Sequence, residues 1–227
     1  MSPESSPQIA RVRDLDIAVC MAPLAPFLVV LYAAGIYGSF PGDVIVSGWV
    51  QSTRTAWLDG AMVAFSPVPR MLAPWLAVLV PAALAFRGSR SAAAVVFLAM
   101  MASFATLTVA KALVARPRPA ADLVEVIELR DGYSFPSGHI LHYTVLVGLL
   151  AVLLSSRISS RPTRLAAYGA GITSLLALGF MRVYLGVHWV SDVLAGYATG
   201  AAIVCGAIWL RPRVDPLVAR AGILFRA

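Results

Sequence analysis

Six stretches of this chain run without a charged side chain: between Asp16 and Asp43, Arg70 and Arg87, Arg90 and Lys111, His139 and Arg157, Arg164 and Arg182, and Asp192 and Arg211. A hydrocarbon core takes roughly 20 mostly apolar residues of helix to cross, with about 17 the practical minimum. Helices satisfy their own backbone hydrogen bonds in lipid, so the six runs predict six transmembrane helices and an all-α integral membrane protein. The second run, residues 71–86, is the shortest and contains Pro74 and Pro81; Pro23 and Pro26 fall in the first. Membrane helices tolerate such prolines better than soluble ones do.

Residues 43–69 break the pattern. They carry Arg54 and Asp59 together with Trp49 and Trp57. Tryptophan favours the headgroup region, so this segment is expected to be a loop or short helix on the outer membrane surface and not a span. The first run has 26 uncharged residues behind Arg11 and Arg13, which is long for a secretory signal core, and it is expected to be retained. No repeat, low-complexity stretch or second domain is visible, and residues 1–227 read as a single domain.

Composition agrees: 59% of the residues are hydrophobic, 13% are charged and mean hydropathy is +0.82, which excludes an ordinary soluble domain. Charge is scarce and its placement is therefore informative. Of the 18 basic residues 17 are arginines, and the only lysine, Lys111, closes an apolar run. With six spans both termini share a side, and that side holds eleven of the 18: Arg11, Arg13, Arg87, Arg90, Arg157, Arg161, Arg164, Arg211, Arg213, Arg220 and Arg226. The excess of positive charge predicts cytoplasmic termini. Cys20 and Cys205 both lie within spans and read as small buried hydrophobes, with neither a disulfide framework nor metal-ligand spacing.

The three histidines, His139, His142 and His188, cluster with four of the seven remaining cations, Lys111, Arg116, Arg118 and Arg182, in three segments that this topology puts on the outer face. In the first, KALVARPRP, Lys111 and Arg118 stand two helical turns apart, and Pro117 and Pro119 break the helix so that Arg118 folds back toward Lys111. Two such cations suit a phosphoryl group, although each also reads as an anchor reaching to the headgroups. Arg116 is assigned to that anchoring role.

In the second segment, Pro136-Ser137-Gly138-His139 opens an apolar run, so the N–H groups of Ser137, Gly138 and His139 begin a helix and are free to bind an anion. In the third, His188 and Asp192 share one face of a helix at a spacing of four. The carboxylate would fix the imidazole tautomer and leave the other nitrogen as a nucleophile, with His139 as general acid. A His-x-x-x-Asp pair is more often structural; ionisable groups gathered at one face of a bilayer favour the functional reading. His142 is expected to hydrogen-bond a neighbouring helix, or else to tune His139 or contact the substrate. Asp122, Glu125, Glu128 and Asp131 recur every three residues and read as the solvated face of a short surface helix, or alternatively as a lid that repels some headgroups.

Taken together the segments resemble the type 2 phosphatidic acid phosphatase (PAP2) superfamily. Its pattern is Lys, six residues, Arg-Pro; then Pro-Ser-Gly-His; then Ser-Arg, five residues, His, three residues, Asp. Lys111 with Arg118-Pro119, Pro136 to His139, and Arg182 with His188 and Asp192 match it in order and spacing. The match selects Arg118 over Arg116 as the partner of Lys111. Met181 departs from the family serine and is expected to loosen the support of Arg182 slightly.

The resemblance implies a PAP2-like helical bundle whose core motifs span 111–192, with its active site at the outer membrane interface. It implies metal-independent hydrolysis of a lipid phosphate or diphosphate. His188 would form a phosphohistidine, His139 would protonate the leaving oxygen and Asp192 would orient His188. Lys111, Arg118, Arg182 and the N–H groups of Ser137 and Gly138 would hold the phosphoryl oxygens. No cofactor, metal or nucleic-acid partner is expected; the partners are a lipid phosphate and the bilayer of the plasma membrane, and no oligomeric state follows. Candidate substrates are a polyprenyl diphosphate, phosphatidylglycerophosphate, phosphatidic acid or a phosphorylated glycolipid. The rival readings are a lipid phosphotransferase sharing the first half-reaction, a haloperoxidase-like protein and a lipid carrier.

Overall fold

A computed structural model describes residues 33–155 and 157–224. Among them, after the helical residues 33–36, lie seven helices and no strand: α1 (Pro41–Gln51), α2 (Ala56–Phe65), α3 (Pro67–Phe86), α4 (Arg90–Val114), α5 (Gly138–Ser155), α6 (Arg161–Tyr184) and α7 (Val190–Leu224). Local chemistry fixes several boundaries. At the start of α1, Pro41 presets the helical φ and the Asp43 carboxylate accepts the Phe40 N–H at 3.1 Å. The 25 residues of α4 contain no proline or glycine, and the helix ends at Ala115 in the left-handed region (φ 48°), just before Arg116-Pro117.

The core lies where α3, α4, α5 and α7 meet, around Ala77, Val96, Met100, Val145, Leu149 and Val204. Small residues let α5 and α7 touch closely: a Cβ on Gly200 would stand 2.6 Å from Thr144 Cβ, and one on Gly196 would stand 3.0 Å from the Ser137 carbonyl oxygen. With no hydrophobic effect between helices in lipid, close contact of this kind supplies much of the association energy. A second cluster, Ile140, Leu178, Val183 and Val193, joins α6 to the α5–α7 pair. The chain therefore runs up and down, and one end of the bundle collects the end of α4, the start of α5, the end of α6 and the start of α7.

Four helices are long and apolar enough to cross a membrane: Arg90–Val114, Gly138–Ser155, Arg161–Tyr184 and Val190–Pro212. They correspond to the last four predicted runs. Ala56–Pro69 and Met71–Leu84, bent by 40° relative to each other, make a fifth if they form one span. The count of six is thus not reached among the described residues. Most of the first predicted span, with Cys20, Pro23 and Pro26, lies outside them. Residues 43–69 hold the short helices expected as one alternative, and the point of difference is that 56–69 lead directly into the helix behind, so that the two together are a candidate bent span. Trp49 and Trp57 are nevertheless 69% and 73% exposed, as interfacial side chains should be.

The acidic segment is not a helix. Residues 120–134 form turns, and the N–H groups of Ile127 and Glu128 donate to the Leu185 carbonyl at 3.1 and 3.3 Å. Gln51 pins the same segment, donating to the Glu125 carbonyl at 2.6 Å and accepting from the Glu125 N–H at 3.0 Å. Gly186 (φ +67°) makes this docking possible, since a Cβ there would lie 2.2 Å from the Glu125 oxygen. Tertiary hydrogen bonds outcompeted the period-three pattern.

Candidate active site

The end of the bundle where these helices meet encloses a cavity of about 530 Å3. Lys111, Arg118, Gly138, His139, Arg182 and His188 all line it. Each comes from a helix end or the turn beside it, so three segments separated by up to 77 residues converge because four helices terminate together. The wall toward α3 and α4 is apolar, made by Ala73, Pro74, Phe104 and Leu107.

The two remaining expected residues stand directly behind the wall. Asp192 is fully buried and its Oδ2 faces His188 Nδ1 at 3.4 Å, while the Trp189 N–H donates to the same oxygen at 2.9 Å. Ser137 is also fully buried. Its N–H is not free, as it donates to the Asp192 carbonyl at 3.0 Å. The expectation that this N–H holds a phosphoryl oxygen is corrected accordingly: the start of α7 has already used it to tie the two motifs together. Ser137 instead contributes its hydroxyl, which is buried with no partner among the described residues. His139 Nε2 and Arg182 Nε share that condition. Buried polar atoms normally find partners, and the orphans on the cavity-lining His139, Arg182 and Arg130 are groups that a bound ligand could satisfy.

The cations are held by carbonyls and keep their charge available. Lys111 Nζ donates to the Tyr133 carbonyl. Arg118 donates from Nη1 to the Val187 carbonyl at 2.7 Å and from Nε to the Gly132 carbonyl at 3.1 Å. Arg182 reaches Ser66, donating to its hydroxyl at 3.2 Å and its carbonyl at 3.0 Å, and touches Met181 Sδ at 3.7 Å. Burial pushes His188 down to about 4, opposed by its hydrogen bond to Asp192 and helped by the positive charge of Arg118 and Lys111. Near pH 7 the imidazole is neutral and carries a lone pair.

Arg116 corrects a second expectation. It does not reach to the headgroups: it is 1% exposed and forks between two carboxylates, Nη1 to Asp192 Oδ1 at 2.7 Å and Nη2 to Asp43 Oδ2 at 2.7 Å. Nε donates to the Gly38 carbonyl at 3.2 Å, Ser191 bridges the guanidinium and Asp43, and the Phe40 ring lies 4.8 Å below. The left-handed turn at Ala115 sends residue 116 inward, and a planar fork suits two carboxylates. His142 bears out its expected role, facing Ser103 Oγ of α4 at 2.9 Å beside the Phe104 ring.

Sequence reasoning missed Asp43, Ser66, Ser191 and Arg130, and named Glu128 only within the acidic segment, as a solvated face or a lid. Asp43 was visible only as the charge that closes the first run, and Ser66 only as a serine in a segment read as superficial. Glu128 and Arg130 pair with each other and line the cavity.

An all-helical membrane bundle with a cationic, histidine-bearing anion cavity at one end defines the class. The chain belongs to the PAP2 superfamily, whose family model matches residues 92–215, more than half of its length. It is similar to phosphatidylglycerophosphatase B of Bacillus subtilis, 34% identical over 94 residues, which are 40% of this chain and 44% of that protein. It also resembles the undecaprenyl-diphosphatase of Sulfolobus acidocaldarius, 29% identical over 157 residues, 68% of this chain and 71% of the relative. The match to the Bacillus enzyme thus spans less than half of that protein. Among solved structures, a transmembrane PAP2 type phosphatidylglycerolphosphate phosphatase from Bacillus subtilis superposes with a TM-score of 0.70 at 22% identity, covering 88% of this chain and 96% of that one. LpxE from Aquifex aeolicus gives 0.57 at 22% identity over 75% and 96%. Both likenesses speak to the fold.

Proposed function

We propose that the protein hydrolyses a lipid phosphate or lipid diphosphate at the outer face of the plasma membrane through a phosphohistidine on His188, with both termini in the cytoplasm. The single observation that carries this reading is the placement of His188, held by Asp192 on one nitrogen at 3.4 Å and lining one cavity together with Lys111, Arg118 and Arg182. His188 attacks phosphorus in line as the bond to the leaving oxygen breaks, and His139 gives that oxygen a proton. Water, deprotonated by His139, then attacks the phosphohistidine, releasing inorganic phosphate and restoring both histidines. The cations, the Ser137 hydroxyl and the first N–H groups of α5 hold the equatorial oxygens; preorganised donors of this type contribute about 3 to 4 kcal/mol each to barrier lowering. These fixed charges do the work that a metal would otherwise do. The lipid tail enters along the apolar wall of α3 and α4.

The names of the relatives place phosphatidylglycerophosphate and undecaprenyl diphosphate among the first substrates to test. A phosphotransferase would use the same first half-reaction and is told apart by its product. The test is phosphate release by the detergent-purified protein from a panel of lipid phosphates, with His188→Ala as the control. Release abolished by the substitution, with labelled phosphate trapped on the parent protein, is the expected result; undiminished release from the variant overturns the assignment.

A further inference from the structure

Four cations line the cavity, and the reading above uses three of them on the transferred phosphoryl group. The fourth is Arg130. Its Nε is buried with no hydrogen-bond partner among the described residues. Its Nη2 donates to Ser66 Oγ at 3.2 Å and pairs with Glu128. The same Ser66 oxygen accepts from Arg182 Nη1 at 3.2 Å, and the Ser66 hydroxyl donates to Glu128 Oε2 at 2.5 Å. Two guanidiniums thus converge on one neutral oxygen, and the Glu128 carboxylate pairs with one of them, that of Arg130. Glu128 and Arg130 both remain partly exposed to the cavity, at 20% and 16% of their side-chain surface.

We propose that Arg130 binds a second phosphate of the substrate, and that Glu128 occupies that position until the substrate displaces it. The proposal rests on the lipid phosphatase reading and narrows its substrate class to lipids carrying two phosphate groups. A phosphoryl group held by Arg182 for attack by His188 has its neighbour on the side where Ser66 links Arg182 to Arg130. A phosphate offers more negative charge and more acceptor oxygens than a carboxylate, and the guanidinium fork takes two of them at once. A lipid with one phosphate leaves the Glu128–Arg130 pair intact, whereas a lipid with two exchanges it for a stronger one. In a diphosphate, the bond from the terminal phosphorus to the bridging oxygen breaks as the His188 nitrogen bonds to phosphorus. The bridging oxygen departs on the lipid monophosphate with the proton from His139, and Arg130 offsets the charge gathering on that leaving group.

The second phosphate can be directly attached, as in a polyprenyl diphosphate, or separated by a glycerol, as in phosphatidylglycerophosphate. The experiment measures kcat/KM of the purified full chain for both of these and for phosphatidic acid, in the parent protein and in Arg130→Gln, Arg130→Lys and Glu128→Gln. Arg130→Gln is expected to lower the ratio of kcat/KM on the two-phosphate lipid to that on phosphatidic acid at least tenfold, with Arg130→Lys intermediate. Loss on the diphosphate alone assigns Arg130 to an attached phosphate, and loss on phosphatidylglycerophosphate assigns it to a separated one. A ratio unchanged for both lipids overturns the proposal. Glu128→Gln is expected to lower KM for the affected lipid about threefold, and a KM that rises overturns the displacement. His188→Ala separates the two levels: if it still releases phosphate the underlying reading fails, and if it is inactive while the Arg130 ratio is unchanged only this inference falls.

Discussion

Arg116 and Asp43 meet at 2.7 Å across 73 residues of chain, with side chains 0% and 2% exposed. The other arm of Arg116 grips Asp192 at 2.7 Å, and Asp192 in turn holds His188. The orientation of His188 is thereby referred to α1, a helix with no residue in the cavity wall. Buried pairs of this kind are weak evidence for stability, yet breaking one by removing a partner costs about 3–5 kcal/mol.

Arg116→Lys keeps the charge and loses the fork. It should lower kcat more than tenfold with KM little changed, because Asp192 loses its fixed position while the phosphate-holding cations stay where they are. A Tm fall without the kcat loss would mean that the guanidinium serves the fold alone. Steady-state kinetics beside thermal unfolding in the same detergent makes the comparison.

The depressed His188 pKa sets the acid limb of activity. The nucleophile must be neutral, and burial keeps it so down to about 4, where an ordinary histidine would already be protonated below about 6.5. The limb of kcat/KM assigned to His188 should therefore lie near pH 4, and activity should persist at pH 5.5. Asp192 raises this pKa, so Asp192→Asn should move the limb lower still while reducing the maximal rate. A limb near 6.5 would show His188 to be solvated in the working protein.

Ser66 does for Arg182 what the family serine at position 181 would do. Its hydroxyl and carbonyl both accept from the guanidinium, at 3.2 and 3.0 Å. Met181→Ser should accordingly leave kcat/KM within about twofold. Ser66→Ala strips a buried acceptor from two arginines, a loss of about 1–3 kcal/mol, and should lower kcat/KM by roughly tenfold or more. The reverse order of effects would return the supporting role to position 181.

Gly186→Ala tests the docking of the acidic segment. The substitution meets both a positive φ and a carbonyl 2.2 Å from the new carbon, so the 125–128 segment must move. The expected result is a Tm lower by several degrees and a raised KM, since Glu128 and Arg130 ride on the displaced chain. Proteolysis within 120–134 should quicken in parallel.

The sequence made the polar residues of the cavity wall legible because charge is costly in lipid: scarce polar residues at the ends of apolar runs have few reasons to be there. His139, His188, Lys111, Arg118 and Arg182 could be read in that way. Arg116 and Asp43 could not, because a pair formed across 73 residues leaves no local period, and an arginine at a span end looks the same whether it faces headgroups or a buried carboxylate. The acidic segment misled for the opposite reason. Its period of three suggested a helix, while what decides its conformation is one glycine in a distant turn and the free carbonyl of Leu185.

The close approach of α5 and α7 has a consequence for the range of lipids handled. In the proposed reaction the general acid, His139, stands at the start of one helix and Asp192, the carboxylate that steers His188, at the start of the other, and Gly196 and Gly200 bring those helices nearly backbone to backbone. Spacing between the two imidazoles is therefore insulated from whatever tail the substrate carries. Differences in chain length and branching fall to the opposite wall, where Ala73, Pro74, Phe104 and Leu107 present no group that takes part in bond making. Under the proposed function, bond making and tail binding fall to separate faces of one small cavity, so either could change in evolution while the other stays fixed.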